Sequence, residues 1–191
     1  MTEPEPRIAP LSPEELSDDA MDVIAAVMQA QALPSRQDVP EFIATMLRHR
    51  TLFQRQADLS AALFAGALPF RLTELVLLRT AWLCQGGYVW GHHSQLAQKS
   101  CGFSPEDIEA IIAGSSAPGW DELDRAVLRA VEELQETSTI SDETWGVLAR
   151  HLDDRQLIEL PILVGQMHGV IYTQNALRAR LMPGSLGLAA R

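Results

Sequence analysis

Arg71-Leu72-Thr73-Glu74-Leu75-Val76-Leu77-Leu78-Arg79-Thr80-Ala81-Trp82-Leu83-Cys84-Gln85-Gly86-Gly87-Tyr88-Val89-Trp90-Gly91-His92-His93 is the stretch that decides how this chain is read. Four aliphatic residues follow Glu74 without a polar gap, so the first half reads as a helix buried around most of its circumference. One carboxylate lies inside that run, and two imidazoles follow a Gly86-Gly87 break. A buried ionisable group is costly unless it is paired, which makes Glu74 and His93 the first candidates for chemistry. Glu74 also follows Arg71 by three residues, the spacing of an ordinary ion pair along a helix surface. His93 lies one helical turn after Val89 and shares its face, whereas His92 points about 100 degrees away, toward solvent or an interface.

Outside this stretch the apolar residues recur at three and four, with no period-two alternation and no Asn-Gly or Asp-Gly hairpin, so the chain is expected to be all-α. Helix starts are legible at Ser12-Pro13-Glu14-Glu15, at Ser104-Pro105-Glu106-Asp107 and at Ser141. In the first two, serine caps, proline takes the first helical position and an acid meets the free amides. Helices are expected over about 13–32, 41–49, 51–66, 71–85, 88–100, 105–114, 121–137, 142–151 and 154–178. The connection Gly114-Ser115-Ser116-Ala117-Pro118-Gly119 divides a single domain, 1–191, into two helical lobes over about 7–114 and 120–181. The tail, 182–191, reads as frayed or docked on a neighbour. Arg71-Leu72-Thr73-Glu74-Leu75 weakly matches Gln156-Leu157-Ile158-Glu159-Leu160, as in two related helical units. Pro161 in the second copy is expected to kink its helix and free the Leu157 carbonyl.

With 191 residues and 47% hydrophobic content the chain can bury a substantial core. A net charge of −10 with scattered basic residues argues against nucleic acid as a partner. No basic, apolar leader opens the chain and no uncharged apolar run reaches the ~18 residues of a membrane span, so no membrane partner and a cytoplasmic location are expected. Cys84 and Cys101 are too few for a disulfide framework and are expected to be reduced, weakly nucleophilic thiols. Neighbouring histidines on a helix diverge, and no His-x-x-x-His or Glu-x-x-His spacing occurs, so no metal site is expected.

The central stretch resembles the carboxymuconolactone decarboxylase and alkyl hydroperoxidase D-like (AhpD-like) superfamily. Its redox branch has a glutamate followed by Cys-x-x-Cys-x-x-x-His; laid over this sequence, the glutamate is Glu74, the cysteine positions are Gly86 and Val89, and the histidine is His93. The acid and the imidazole are present and both thiols are absent. A non-redox branch has Tyr-Glu-Trp-x-x-His, and here Tyr88-Val89-Trp90-Gly91-His92-His93 stands in its place, with valine for the glutamate. Phe42-Ile43-Ala44-Thr45-Met46-Leu47-Arg48-His49 and Leu163-Val164-Gly165-Gln166-Met167-His168 also resemble family segments, less specifically.

The resemblance implies the AhpD-like helical fold, assembly as a homo-oligomer, trimer or hexamer, with sites near subunit contacts, and no cofactor. It implies a lyase or isomerase acting on a small organic acid or lactone, as in aromatic-compound catabolism. His93 would be general acid/base and Glu74 would orient it, while Tyr88, Trp90, Gln166 and His168 would shape the pocket. Free amides at the Gly86-Gly87 break would hold a substrate carboxylate. A catalytically silent binding or scaffold protein of the same fold is the alternative, and a thiol peroxidase, lacking Cys-x-x-Cys, is a third.

Overall fold

In the computed structural model, residues 5–27 and 35–191 are described. They form α1 (Asp18–Val27), α2 (Glu41–Met46), α3 (Arg50–Phe64), α4 (Phe70–Leu83), α5 (Gly87–Ser100), α6 (Pro105–Ala113), α7 (Glu122–Thr137), α8 (Asp142–His151) and α9 (Asp154–Leu177), with short 3-10 turns at Arg36–Asp38, Leu47–His49 and Gly187–Ala189. Among the described residues there is no strand. The chain is all-α.

The helix starts read from serine hold at α6, where Ser104 and Asp107 form a reciprocal capping box, and at α8, where Ser141 accepts from the Thr144 amide. The first start is different. Ser12 to Glu15 make only a turn, in which the Ser12 amide donates to the Glu15 carboxylate, and α1 begins at Asp18 with the Ser17 hydroxyl accepting from the Ala20 amide. The remainder of the helix expected to reach residue 32 lies outside the described residues. The segment over 41–49 tightens to 3-10 geometry after Met46, and the His49 ring caps α3 by accepting from the Leu52 amide.

Helix α4 is the centre of the molecule. Leu75, Val76, Leu77 and Leu78 are wholly buried, and α4 packs on α5, α7 and α9 at once, which is why its sequence shows no polar face. Full burial of each such side chain contributes roughly 1.5–3 kcal/mol. A second apolar cluster joins α1, α2 and the start of α3, with Tyr88 and Leu177 packed against it. Helix α9 continues through Pro161 to Leu177.

The Gly114–Gly119 connection is tied to this core by one buried cation. Arg79 of α4 donates to the Ile111 and Ile112 carbonyls at 2.9 and 2.7 Å, satisfying the end of α6, and pairs with Glu132 of α7 at 2.8 Å. Glu132 in turn accepts from the Ser115 amide and hydroxyl. Gly114 has φ +88°, and a Cβ there would lie 2.3 Å from both the Arg79 guanidinium and the Glu132 carboxylate, so only glycine fits.

The tail docks on its own chain, correcting the expectation that it frays or reaches a neighbour. The turn at Gly187–Ala189 packs on α5, and the Trp90 indole donates to the Ala190 carbonyl at 3.0 Å. Gly91 allows this approach, since a Cβ there would come 2.3 Å from the Ser185 hydroxyl.

Replacing Arg79 by methionine leaves Glu132 with its bonds from Ser115 but without its buried cation, and strands two helix-end carbonyls. Breaking a buried pair in this way costs about 3–5 kcal/mol. Urea unfolding of Arg79→Met is expected to show a loss of this size, and a change within the ~0.5 kcal/mol typical of surface substitutions would contradict the role assigned to Arg79.

Candidate active site

Glu74 enters from α4 and His93 from α5, and the turn between those helices brings them together. Gln85 takes a left-handed conformation at φ 53°, and the Gly86 amide donates to the Ala81 carbonyl at 2.7 Å, closing the end of α4. A Cβ on Gly86 would lie 2.8 Å from Ile171 Cγ2, so this glycine lets the turn pack against α9. The Gly87 amide donates to the Gln85 carbonyl, and Leu181 and, from the tail, Leu188 lie beside that residue. Both amides are therefore engaged within the turn. The expectation that Gly86 and Gly87 hold a substrate carboxylate fails for that reason.

The Glu74 carboxylate is wholly buried, and its two oxygens lie 3.1 and 3.0 Å from His93 Nδ1. The i,i+3 pair with Arg71 is not made. Arg71 instead grips Asp124 of α7 through two bonds of 2.6 and 2.7 Å. A carboxylate on Nδ1 fixes the ring as the Nδ1–H tautomer when neutral, leaving Nε2 as an acceptor; among the described residues Nε2 has no protein partner. The Phe64 ring stacks on His93 at 6.1 Å between centroids, and His92 meets its edge at 5.0 Å.

His93 opens onto a cavity of about 440 Å³ bounded by α2, α3, α4, α5 and α9, with Tyr88, Val89, Phe64, Met167 and Met182 in its wall. Ile43, Phe64, Tyr88, Val170 and Gln174 also line an adjoining cavity of about 330 Å³. Burial pushes the Tyr88 hydroxyl above the ordinary phenol range, so it is protonated at neutral pH and can donate. His92 is exposed yet reaches the cavity wall; burial and then the neighbouring His93 hold its pKa below the ordinary imidazole value.

Three residues expected in the pocket lie elsewhere. Trp90 is fully buried against Trp82, its indole held by the tail. Gln166 bridges α9 to α3, donating to the Gln56 carbonyl and the Ser60 hydroxyl. His168 bonds the Val164 carbonyl and Gln135 and packs edge-on to Tyr172. Helical geometry explains the last two: Met167 faces the cavity, and its sequence neighbours are turned about 100 degrees away on either side.

Gln174 is the residue that sequence reasoning missed. It lines both cavities, is 4% exposed, and its Oε1 is buried without a partner among the described residues. The signal was available: Leu160, Leu163, Val164, Met167 and Ile171 form the buried stripe of α9, and Gln174 continues it at the same spacing. A polar residue on an apolar stripe marks a position where burial has a purpose other than packing.

Among the described residues no three His, Cys, Asp or Glu side chains gather as metal ligands. Cys84 lies 3.6 Å from the Gln135 side-chain oxygen, away from the cavity. Both thiols are raised above the ordinary range, Cys84 by burial and Cys101 by burial and then by the Glu74 charge. No helix among the described residues is long and apolar enough to cross a membrane.

Residues 50–133, which carry Glu74 and His93, match the model of the carboxymuconolactone decarboxylase family. No curated protein matches the chain in sequence. Among solved structures, an uncharacterised peroxidase-related protein from Silicibacter sp. TM1040 superposes with a TM-score of 0.74 at 14% identity, covering 94% of each chain. An AhpD-core peroxidase-related protein from Ralstonia eutropha JMP134 gives 0.73 at 16% identity, over 95% of this chain and 94% of that one. The debrominase Bmp8, solved with 2,3,4-tribromopyrrole, gives 0.72 at 16% identity over the same shares. At these identities the likeness is one of fold.

The raised thiols imply a measurable inertness. A raised pKa lowers the thiolate fraction at neutral pH, and the thiolate is the reactive form. Alkylation of Cys84 and Cys101 by iodoacetamide at pH 7 is therefore expected to be slower than that of free cysteine, accelerating only above the ordinary thiol pKa. Mass spectrometry of the alkylated peptides measures both rates, and a rate at pH 7 matching free cysteine at either position contradicts this.

Proposed function

Residues 50–133 match the carboxymuconolactone decarboxylase family, and from that premise we propose that the chain is a member of the carboxymuconolactone decarboxylase and AhpD-like superfamily and a cofactor-independent lyase or isomerase acting on a small organic acid or lactone. One observation carries the reading: a wholly buried carboxylate rests on His93 Nδ1, while the other nitrogen of the ring is left for the cavity. In the proposed cycle His93 Nε2 takes a proton from the substrate, Glu74 stabilises the resulting imidazolium, and Nε2 returns the proton at a second atom. Tyr88, protonated, donates to an oxygen that gains charge. General acid–base catalysis supplies only ~10²–10⁴-fold. A decarboxylation would thus need an electron sink inside the substrate, such as a conjugated lactone.

A silent binding protein of the same fold is the second reading. It is favoured by Val89, which puts an aliphatic side chain in the cavity wall at a position where both branches of the superfamily carry a functional group.

We also propose a homo-oligomer, trimer or hexamer. Ile158, Ile162 and Tyr172 are 62%, 45% and 55% exposed along one face of α9, where Gly165 and Gly169 leave open space above the backbone. Ile162→Glu together with Tyr172→Glu is expected to shift the protein to monomer in sedimentation, and a wild-type monomer at micromolar concentration contradicts the assembly.

For the chemistry, wild-type protein is to be screened against unsaturated acids and lactones. On a turned-over substrate, His93→Ala is expected to abolish activity. Glu74→Gln, which keeps the shape and removes the charge, should lower kcat by about 10²-fold with little change in KM, because the interaction strengthens as the imidazole takes up its proton. Unchanged turnover in His93→Ala would sink the proposal, and no turnover of any member of the panel by wild type would favour the binding protein.

A further inference from the structure

Among the described residues, the walls of the two adjoining cavities contain no lysine and no arginine. The cavity holding His93 is walled mainly by aliphatic, aromatic and methionine side chains. With His93 neutral, the Glu74 carboxylate behind it gives this wall a negative charge; Asp58, in the wall of the adjoining cavity, is exposed and pairs with Arg55 at 3.4 Å. A bound carboxylate would give up its hydration without finding a cation, which is costly unless hydrogen bonds or an opposite charge replace the water.

Besides the Tyr88 hydroxyl, which donates, this space offers two acceptors. With Nδ1–H directed at Glu74, Nε2 of neutral His93 accepts. Gln174 contributes an amide whose Oε1 has no partner among the described residues, and an orphaned buried acceptor favours any ligand that brings it a donor. Oε1 is shielded from water, and the last torsion of a glutamine side chain is soft, so the proposal has the amide turn as the ligand binds.

We propose that the site takes an uncharged, largely apolar molecule bearing an N–H or O–H donor, and that Gln174 is the residue that selects for that donor. This rests on the catalytic reading only for the identity of the site, and it narrows the substrate to a neutral form that carries such a donor, such as a hydroxylactone, lactam or enol, in preference to a free acid. Arg178 and Arg180 line a neighbouring depression on the other side of Tyr88 and Gln174, which wall it as well, and Arg180 is already paired with Glu5 and Glu41.

The test is a comparison of three ligands of one shape, measured by calorimetry on the full chain: indole, with a ring N–H; benzofuran, with an oxygen in its place; and indole-2-carboxylate, with the charge added. Indole is expected to bind tightest, about three- to tenfold above benzofuran, the worth of one neutral hydrogen bond. The carboxylate should bind weakest. In Gln174→Leu the preference of indole over benzofuran should vanish while benzofuran binds as well or better. A carboxylate that binds as tightly as indole overturns the proposal, as does the absence of binding by all three at millimolar concentration. An indole preference that survives in Gln174→Leu removes Gln174 from it. Should that variant fail to fold, the wild-type ranking of the three ligands still decides. Because the readout is binding, a protein that ranks the ligands as expected yet turns nothing over retires the lyase reading and leaves this one standing.

Discussion

A carboxylate removed entirely from water needs a proton or a partner, since the effective penalty of burying an ion is several kcal/mol even after the protein relaxes. Glu74 meets this requirement through His93, and much of the architecture around it follows. The two residues sit on different helices, so α4 and α5 must meet at a fixed register. That register requires a turn tight enough to close within a few residues, which the left-handed Gln85 and the side-chain-free Gly86 provide. Gly86 must in turn lie flat against Ile171, and this brings α9, with Met167 and Gln174, to the edge of the same cavity.

Helix α4 carries three ionisable groups on a nearly continuous apolar surface, and each goes to a different neighbour. Arg71 goes to Asp124, Glu74 to His93, and Arg79 to Glu132 with the end of α6. Arg71 had a competing choice in Glu74, one turn away. Asp124 offers a better geometry because both its oxygens face the planar guanidinium, and the Phe103 ring lies 4.8 Å beneath the cation. Partitioning of this kind keeps Glu74 free for the imidazole. A misplaced pairing would leave Glu74 or Arg79 alone in the core, so these three pairings specify how α4 sits among its neighbours as well as contributing stability.

Most of the helices were legible because apolar spacing and serine or aspartate caps act locally. Features that depend on distant segments were not. Ser12 to Glu15 has every mark of a helix start, yet its amide is satisfied by Glu15 in an isolated turn and α1 begins later. The tail is short, rich in glycine and polar at its end, and what orders it is the Trp90 indole seeking an acceptor inside α5, a need that Trp90 does not advertise in sequence. Glu159 matches Glu74 in the weak repeat, but its carboxylate accepts from the Ala67 and Leu68 amides at the start of α4. Equivalent residue types on similar helices thus serve a site in one place and a loop in the other. Glu74 and His93 were legible because a charged group in an apolar run is anomalous by itself. Gln166 and His168 were misplaced because a one-residue step on a helix is a rotation of about 100 degrees, and only a structure says which residue of the three faces inward.

Positions 86 and 89 carry glycine and valine where the redox branch has its dithiol, and the proposed chemistry rests on proton movement by Glu74 and His93. The charge pattern suits that task in a particular way. When His93 is neutral and Glu74 ionised, one negative charge lies behind an apolar wall, where the low dielectric lets it act strongly over a short distance. That field opposes an incoming anion and favours positive charge appearing on the imidazole. The same carboxylate that would make His93 an effective base would therefore also repel a charged acid before any proton moved. A substrate that arrives uncharged avoids the penalty and meets the full benefit, so the proposed proton transfer and the proposed neutrality of the ligand share one physical origin in the burial of Glu74.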